Sequence, residues 1–227
     1  MQRFITIAMF ILLVPAGLYA QHGAMGNMND SMGRKPFLTQ HGNHRIYHLY
    51  VTDTVVNYTG RKVNAVAING SIPGPKLEFT EGDTAEIHVH NLMHMETSIH
   101  WHGLILDNYQ DGVPYLTTAA IAGHSTLVYK FPIVQNGTYW YHSHSMLQEQ
   151  SGMYGAFIIH KKNETPHNEY TLLLSDWTNE KPEQVERSLH YATDWYAIKK
   201  KATQNYSQAI KAQHFATKFT NEWKRML

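Results

Sequence analysis

The chain contains no cysteine. That excludes disulfides, thiolate zinc sites, lipid attachment through cysteine and any copper site that needs a thiolate. Charge is scarce as well: 16% of the 227 residues are acidic or basic, and the formal net charge is +1. So balanced a chain gives no electrostatic reason to take nucleic acid as a partner. The balance is uneven along the sequence, with nine Lys/Arg against four Asp/Glu from Lys181 to Leu227 and ten against fourteen before that. Long apolar runs are missing too, apart from Phe4 to Val14. That run is short of the roughly 20 residues a helix needs to span a bilayer, so no stable membrane span is expected.

The same run opens the chain in "MQRFITIAMFILLVPAGLYAQ". Arg3 supplies a positive end, Pro15 and Gly17 break the apolar stretch, and Ala20 is a small residue at a cleavage position. The pattern predicts a secretory signal peptide over residues 1–20, and hence export, most simply to a bacterial periplasm. A membrane anchor is the competing reading, against which stand the length and Pro15. Residues 21–39 begin "QHGAMGNMNDSMGRKP", with no periodicity, and read as a flexible arm. Its His22, Met25, Met28 and Met32 are donors that suit copper weakly. The same composition also makes a plain linker.

Histidine and methionine are abundant, at sixteen and ten residues. Between residues 45 and 160 the sequence is a series of short β-branched and aromatic runs. Examples are "RIYHLYVTDTVV", "AVAING", "KLEFTEGDTAEIHVHNL", "STLVYKFPI" and "YGAFIIHKK". Turn signals such as Asn69-Gly70, Pro73-Gly74-Pro75, Glu81-Gly82-Asp83 and Asn136-Gly137 separate them. Seven or so strands at this spacing predict an all-β sandwich or barrel. One further strand is expected in "YTLLLSDW", from Tyr170. After it the alternation is lost, and the segment to Leu227 reads as helical or irregular. Residues 166–227 are expected to be the opening of a second domain, cut short.

Three H-x-H pairs occur. In a strand, residues two apart share a face. His100 and His102 in "SIHWHGLIL" therefore project together, with Trp101 opposite. His142 and His144 in "GTYWYHSHS" do the same around Ser143. Neighbouring strands would bring four imidazoles into one patch, and neutral imidazoles ligate copper, zinc or nickel. Such pairs can also be plain polar surface. His88-Val89-His90 is read that way, because Ala85, Ile87 and Val89 alternate as the buried face and leave His88 and His90 beside Glu86.

The flanking residues add a resemblance. "HWHG" at 100–103, "DGVPYLTT" at 111–118, "GTYWYHSH" at 137–144 and "LQEQSGMYGAFII" at 147–159 occur in this order, after "NGSIPGPKLEFTEGDT" at 69–84. Together they resemble the multicopper oxidases, in particular bacterial laccases and copper-resistance oxidases, from about Tyr47 to Trp177. The resemblance implies a cupredoxin-like Greek-key β-sandwich, the first of three such domains, over residues 40–165. It implies a trinuclear copper cluster between the first and last domains, with His100 on the mononuclear (type 2) copper and His102, His142 and His144 on the binuclear (type 3) pair. The implied reaction is one-electron oxidation of a small reductant, cuprous ion or a phenolic compound, coupled to reduction of O2 to water. Asp111 is either a carboxylate behind the ligands, with a possible part in proton relay, or simply the turn residue before Gly112. Trp101 and Trp140 are expected to pack rather than carry electrons. The sequence departs from the family at "AAIAGHST", where prolines are usual.

The family also needs two later H-x-H motifs, one of them an H-C-H for the blue copper through which electrons enter. This sequence has neither. The chain alone is therefore expected to hold half the cluster ligands and to be inactive by itself. It is read as a fragment of a longer oxidase, with the missing domains elsewhere or on another chain. The alternatives are a short, non-catalytic copper-binding or carrier protein, and an interaction module with vestigial histidines.

Overall fold

The computed structural model describes residues 35–165, 168–191 and 206–211, and scattered positions from 213 to 223. The signal-peptide segment and most of the 21–39 arm, including His22, Met25, Met28 and Met32, lie outside the described residues.

Among the described residues nine strands form in chain order: β1 (Leu38–His41), β2 (His44–Val56), β3 (Val63–Ile68), β4 (Gly74–Thr80), β5 (Thr84–Asn91), β6 (His100–His102), β7 (Thr126–Pro132), β8 (Gly137–His142) and β9 (Tyr154–His160). One sheet runs β1-β2-β5-β7, with β3 also on β2. The other runs β4-β9-β8-β6. The all-β sandwich expected from the strand spacing is the fold that forms.

Alternation explains how each strand chooses its face. In β5, Ala85, Ile87, Val89 and Asn91 are buried while the residues between them are half-buried. β9 reads as a nearly continuous apolar run and is buried on both faces from Gly155 to Ile159. The Asn69-Gly70 turn is closed by reciprocal Ile68 and Ser71 backbone bonds of 3.2 Å. Two of the pairings, β2 with β5 and β4 with β9, are parallel, so the chain must cross between sheets to make them.

The core lies between the sheets, and Trp101, Tyr47, Tyr129, Tyr141, Phe79 and Phe157 are its largest fully buried side chains. Trp101 projects from β6 in one sheet and meets Tyr129 (5.2 Å, 87°) and Phe131 (5.8 Å) from β7 in the other. The i/i+2 rule thus sends Trp101 inward and both of its histidine neighbours outward.

The strand expected from Tyr170 does not form. Residues 168–178 have no strand pairing, and Tyr170, Leu172 and Leu174 are 98%, 82% and 81% exposed. Alternating apolar residues make a strand only beside a partner edge, and among the described residues none is bonded to this segment as a ladder. Trp177 instead meets Tyr58 edge-on at 5.0 Å. Among the described residues the helices α1 (Pro182–Tyr191), with no buried residue, and α2 (Tyr206–Lys211) follow. Among the described residues no helix is long and apolar enough to cross a membrane.

Candidate metal centre

β6 is only three residues long and is held by β8 through the antiparallel pairs His100↔His142, Trp101↔Tyr141 and His102↔Trp140. His100 and His142 therefore face one another across a ladder step. His144 follows the end of β8, where its backbone N–H donates to Ser98 Oγ at 3.1 Å. The four histidines singled out by their spacing converge. Ring centroids are 5.5 Å apart for His100–His102 and His100–His142, and 5.4 Å for His102–His142. His144 is 4.8 Å from His100 and 5.0 Å from His142. Donor atoms of His100, His102 and His142 all lie within 4.8 Å of one another, close enough to share an ion.

The hydrogen bonds fix which nitrogen is left to bind a metal. His100 Nδ1 lies 2.7 Å from the Asp111 carbonyl and 3.2 Å from its carboxylate. Both are acceptors, so Nδ1 carries the proton and Nε2 keeps its lone pair. His142 Nδ1 likewise meets the Ser143 carbonyl at 3.0 Å and Glu149 Oε2 at 2.7 Å. Its Nε2 then points at His102 Nδ1, 3.2 Å away. Trp140 stacks on the His142 ring at 4.1 Å and 16°, which limits its rotation.

Protonation is suppressed where it would block binding. His142 is 5% exposed, and burial lowers its pKa from 6.5 to about 4, with the neighbouring His144, His100 and His102 adding to the effect. Burial and His100 also lower the pKa of His144. Burial raises that of Glu149. Both shifts favour the uncharged imidazole of His142 and His144, which is the ligating form.

Asp111 reaches His100 because Gly112 passes very close to β6. Gly112 has φ of +76°, and a Cβ there would sit 1.6 Å from the Ile99 carbonyl oxygen. Its N–H donates to Thr118 Oγ1 at 2.9 Å, which ties the loop back on itself. Asp111 thus precedes the turn at Gly112 and also meets His100 Nδ1 through both its carbonyl and its carboxylate. Spacing alone missed Glu149, although it lies in the "LQEQSG" run that follows the second histidine pair.

His88 and His90 do point away from the core, but they are not isolated. The parallel register sets His48 opposite His88 and Tyr50 opposite His90. His48 is only 3% exposed, its Nδ1 is 2.9 Å from His90 Nε2, and His88 Nε2 is 2.8 Å from Glu86 Oε1. A surface pair was expected, and a half-buried histidine–glutamate network is found. Sequence alternation could not show that β2 brings His48 alongside.

Comparison with known proteins agrees with this geometry. The multicopper oxidase family profile matches residues 50–164. Copper resistance protein A of Escherichia coli is 46% identical over 157 residues, covering 68% of this chain and 26% of its own length. Copper resistance protein A of Pseudomonas syringae pv. tomato is 44% identical over 163 residues, covering 70% of this chain and 27% of its own. In structure, the iron-import multicopper oxidase Fet3p superposes with a TM-score of 0.56 at 34% identity, over 64% of this chain and 29% of its own. The chain thus spans about a quarter of the length of the curated relatives it matches.

Proposed function

The chain belongs to the multicopper oxidase family, and from that premise we propose that it is the first copper-binding domain of an exported oxidase. His100 would hold the mononuclear copper, and His102, His142 and His144 the binuclear pair. The carrying observation is the convergence of four imidazoles, two with Nδ1 already committed to protein acceptors. An all-nitrogen donor set of this kind suits copper and gives nothing to a hard, oxygen-seeking ion. Copper bound there supplies one-electron chemistry, in the family reaction that couples oxidation of a small reductant to reduction of O2 to water.

This chain's own part is positional. The short β6–β8 ladder fixes the spacing between the two histidine pairs. The Asp111 carbonyl and Glu149 carboxylate hold ring orientation and tautomer. The Asp111 carboxylate, 3.2 Å from His100 Nδ1 and about one-third exposed, connects the cluster to solvent and is placed to pass a proton. Tyr109, Tyr115, Leu116 and Met146 lie exposed in the loop around Asp111 and just after His144. An apolar rim beside half a ligand set supports the docking there of a further domain, from the same or another chain, that brings the remaining ligands and the reductant, cuprous ion or a phenolic. The N-terminal pattern around Arg3 and Phe4 to Val14 supports export to a periplasm. The cysteine-free sequence favours a second reading, a non-catalytic copper carrier using the same four histidines.

Copper stoichiometry and absorption of the 227-residue chain test the proposal against a His102→Ala, His144→Ala double variant. The expected result is copper bound by the wild type and lost by the variant, with no blue thiolate band. Equal copper in the two proteins would sink the site.

A further inference from the structure

A second histidine pair stands outside this cluster. His94 lies in the loop leaving β5 and His124 in the turn entering β7. Both are exposed. His124 Nε2 is 3.0 Å from His94 Nδ1, and the rings cross at 80° with centroids 4.6 Å apart.

The two loops are locked together beneath the rings. Asn91 is 0% exposed, and its Nδ2 donates to the carbonyls of Met95 (2.8 Å), Ile121 (3.0 Å) and Ala122 (3.1 Å). Its Oδ1 accepts from Met93 N at 3.0 Å. Thr97 and Ile121 exchange two backbone bonds of 2.9 and 2.8 Å, and His124 N donates to Met93 O at 3.2 Å. The loops approach so closely that a Cβ on Gly123 would lie 2.4 Å from the His94 carbonyl oxygen.

His124 also sits at φ +56°, in the left-handed region. Glycine adopts this region at less cost than any residue with a Cβ, histidine included, although histidine is found there more often than most. An exposed hydrogen bond between two rings does not repay that conformation, because water offers both rings the same partners. What histidine adds over glycine here is a second imidazole nitrogen at a fixed distance from the first.

We infer that His94 and His124 form a surface site for a divalent copper ion, separate from the four-histidine cluster. Two imidazole nitrogens 3.0 Å apart, each about 2.0 Å from a metal, subtend roughly a right angle at it. That is the cis geometry of a tetragonal Cu(II) site, whose other positions water fills on an exposed surface. The ion takes the place of the shared proton. One nitrogen already presents a lone pair. The donor ring passes its proton through water to its other nitrogen, so that each ring presents one lone pair to the ion.

Equilibrium dialysis of the full chain with Cu(II) alone tests this, using His124→Gly and His94→Ala. Each variant is expected to bind one copper fewer than the wild type, and metal-free His124→Gly to melt no lower than the wild type. Copper should raise the melting temperature of His124→Gly by less than that of the wild type. The His102→Ala, His144→Ala variant should lose different copper, so that adding His124→Gly to it removes one more. Wild-type stoichiometry in both single variants overturns the inference, and leaves the four-histidine site to stand or fall on its own variant.

Discussion

A single buried imidazole makes the fold sensitive to acid. His142 titrates near 6.5 when unfolded and near 4 in the folded chain, because burial and three neighbouring rings oppose its charge. Between those values the unfolded chain binds a proton that the folded chain does not. Stability from this group is therefore complete above about pH 6.5 and falls as the pH drops, with no further loss below about 4. The total is up to about 3 kcal/mol. Thermal melts from pH 7 to 4 should show it, and His142→Gln should flatten the curve. Glu86 acts in a lower window. Hydrogen bonds from His88 and Lys130 hold its pKa down at about 2 from 4.5, so its contribution is present above 4.5 and is lost between 4.5 and 2. Gly112 is sensitive for a steric reason. Gly112→Ala places a methyl against the Ile99 carbonyl at a positive φ, and should cost about 3 kcal/mol or more, read as a lowered denaturant midpoint.

Among the elements, the exposed run at 168–178 contrasts most sharply with the strands before it. Without ladder bonds its backbone is open to a protease. Limited proteolysis should cut first within this run and leave the sandwich through His160 intact, with mass spectrometry locating the cut. The contrast also marks how far the sequence was legible. β5 could be read residue by residue, because Ala85, Ile87 and Val89 alternate against a single core. The two histidine pairs could be read because i/i+2 spacing fixes a shared face, and the motifs around them carried the family resemblance. "YTLLLSDW" has the same local pattern and yet is no strand, since pairing depends on an edge that local sequence does not encode. Glu149 and His48 were missed for the related reason that each meets its histidine through tertiary structure. Glu149 comes from the loop after β8, and His48 from a strand forty residues before its partner.

For the whole molecule, Trp101 ties the four-histidine cluster to global stability. It packs between β6 and β7 and is flanked on the chain by His100 and His102. Trp101→Ala should cost about 3–5 kcal/mol and weaken copper binding in the same protein, without touching any ligand. Denaturant titration with and without copper checks both effects.

The parallel pairings set an order of events. β4 finds its partner β9 roughly eighty residues later, and β2 finds β5 forty residues later. Contacts so distant close slowly and close late. β6 rests on β8, β8 on β9, and β9 on β4, so His100 and His102 have no fixed position until residues as far as His160 have joined the sheet. During folding, the chain is thus a scattering of separate imidazoles. Only the completed sheet holds the four-histidine cluster, and metal offered too early meets sixteen scattered imidazoles in place of ordered sites.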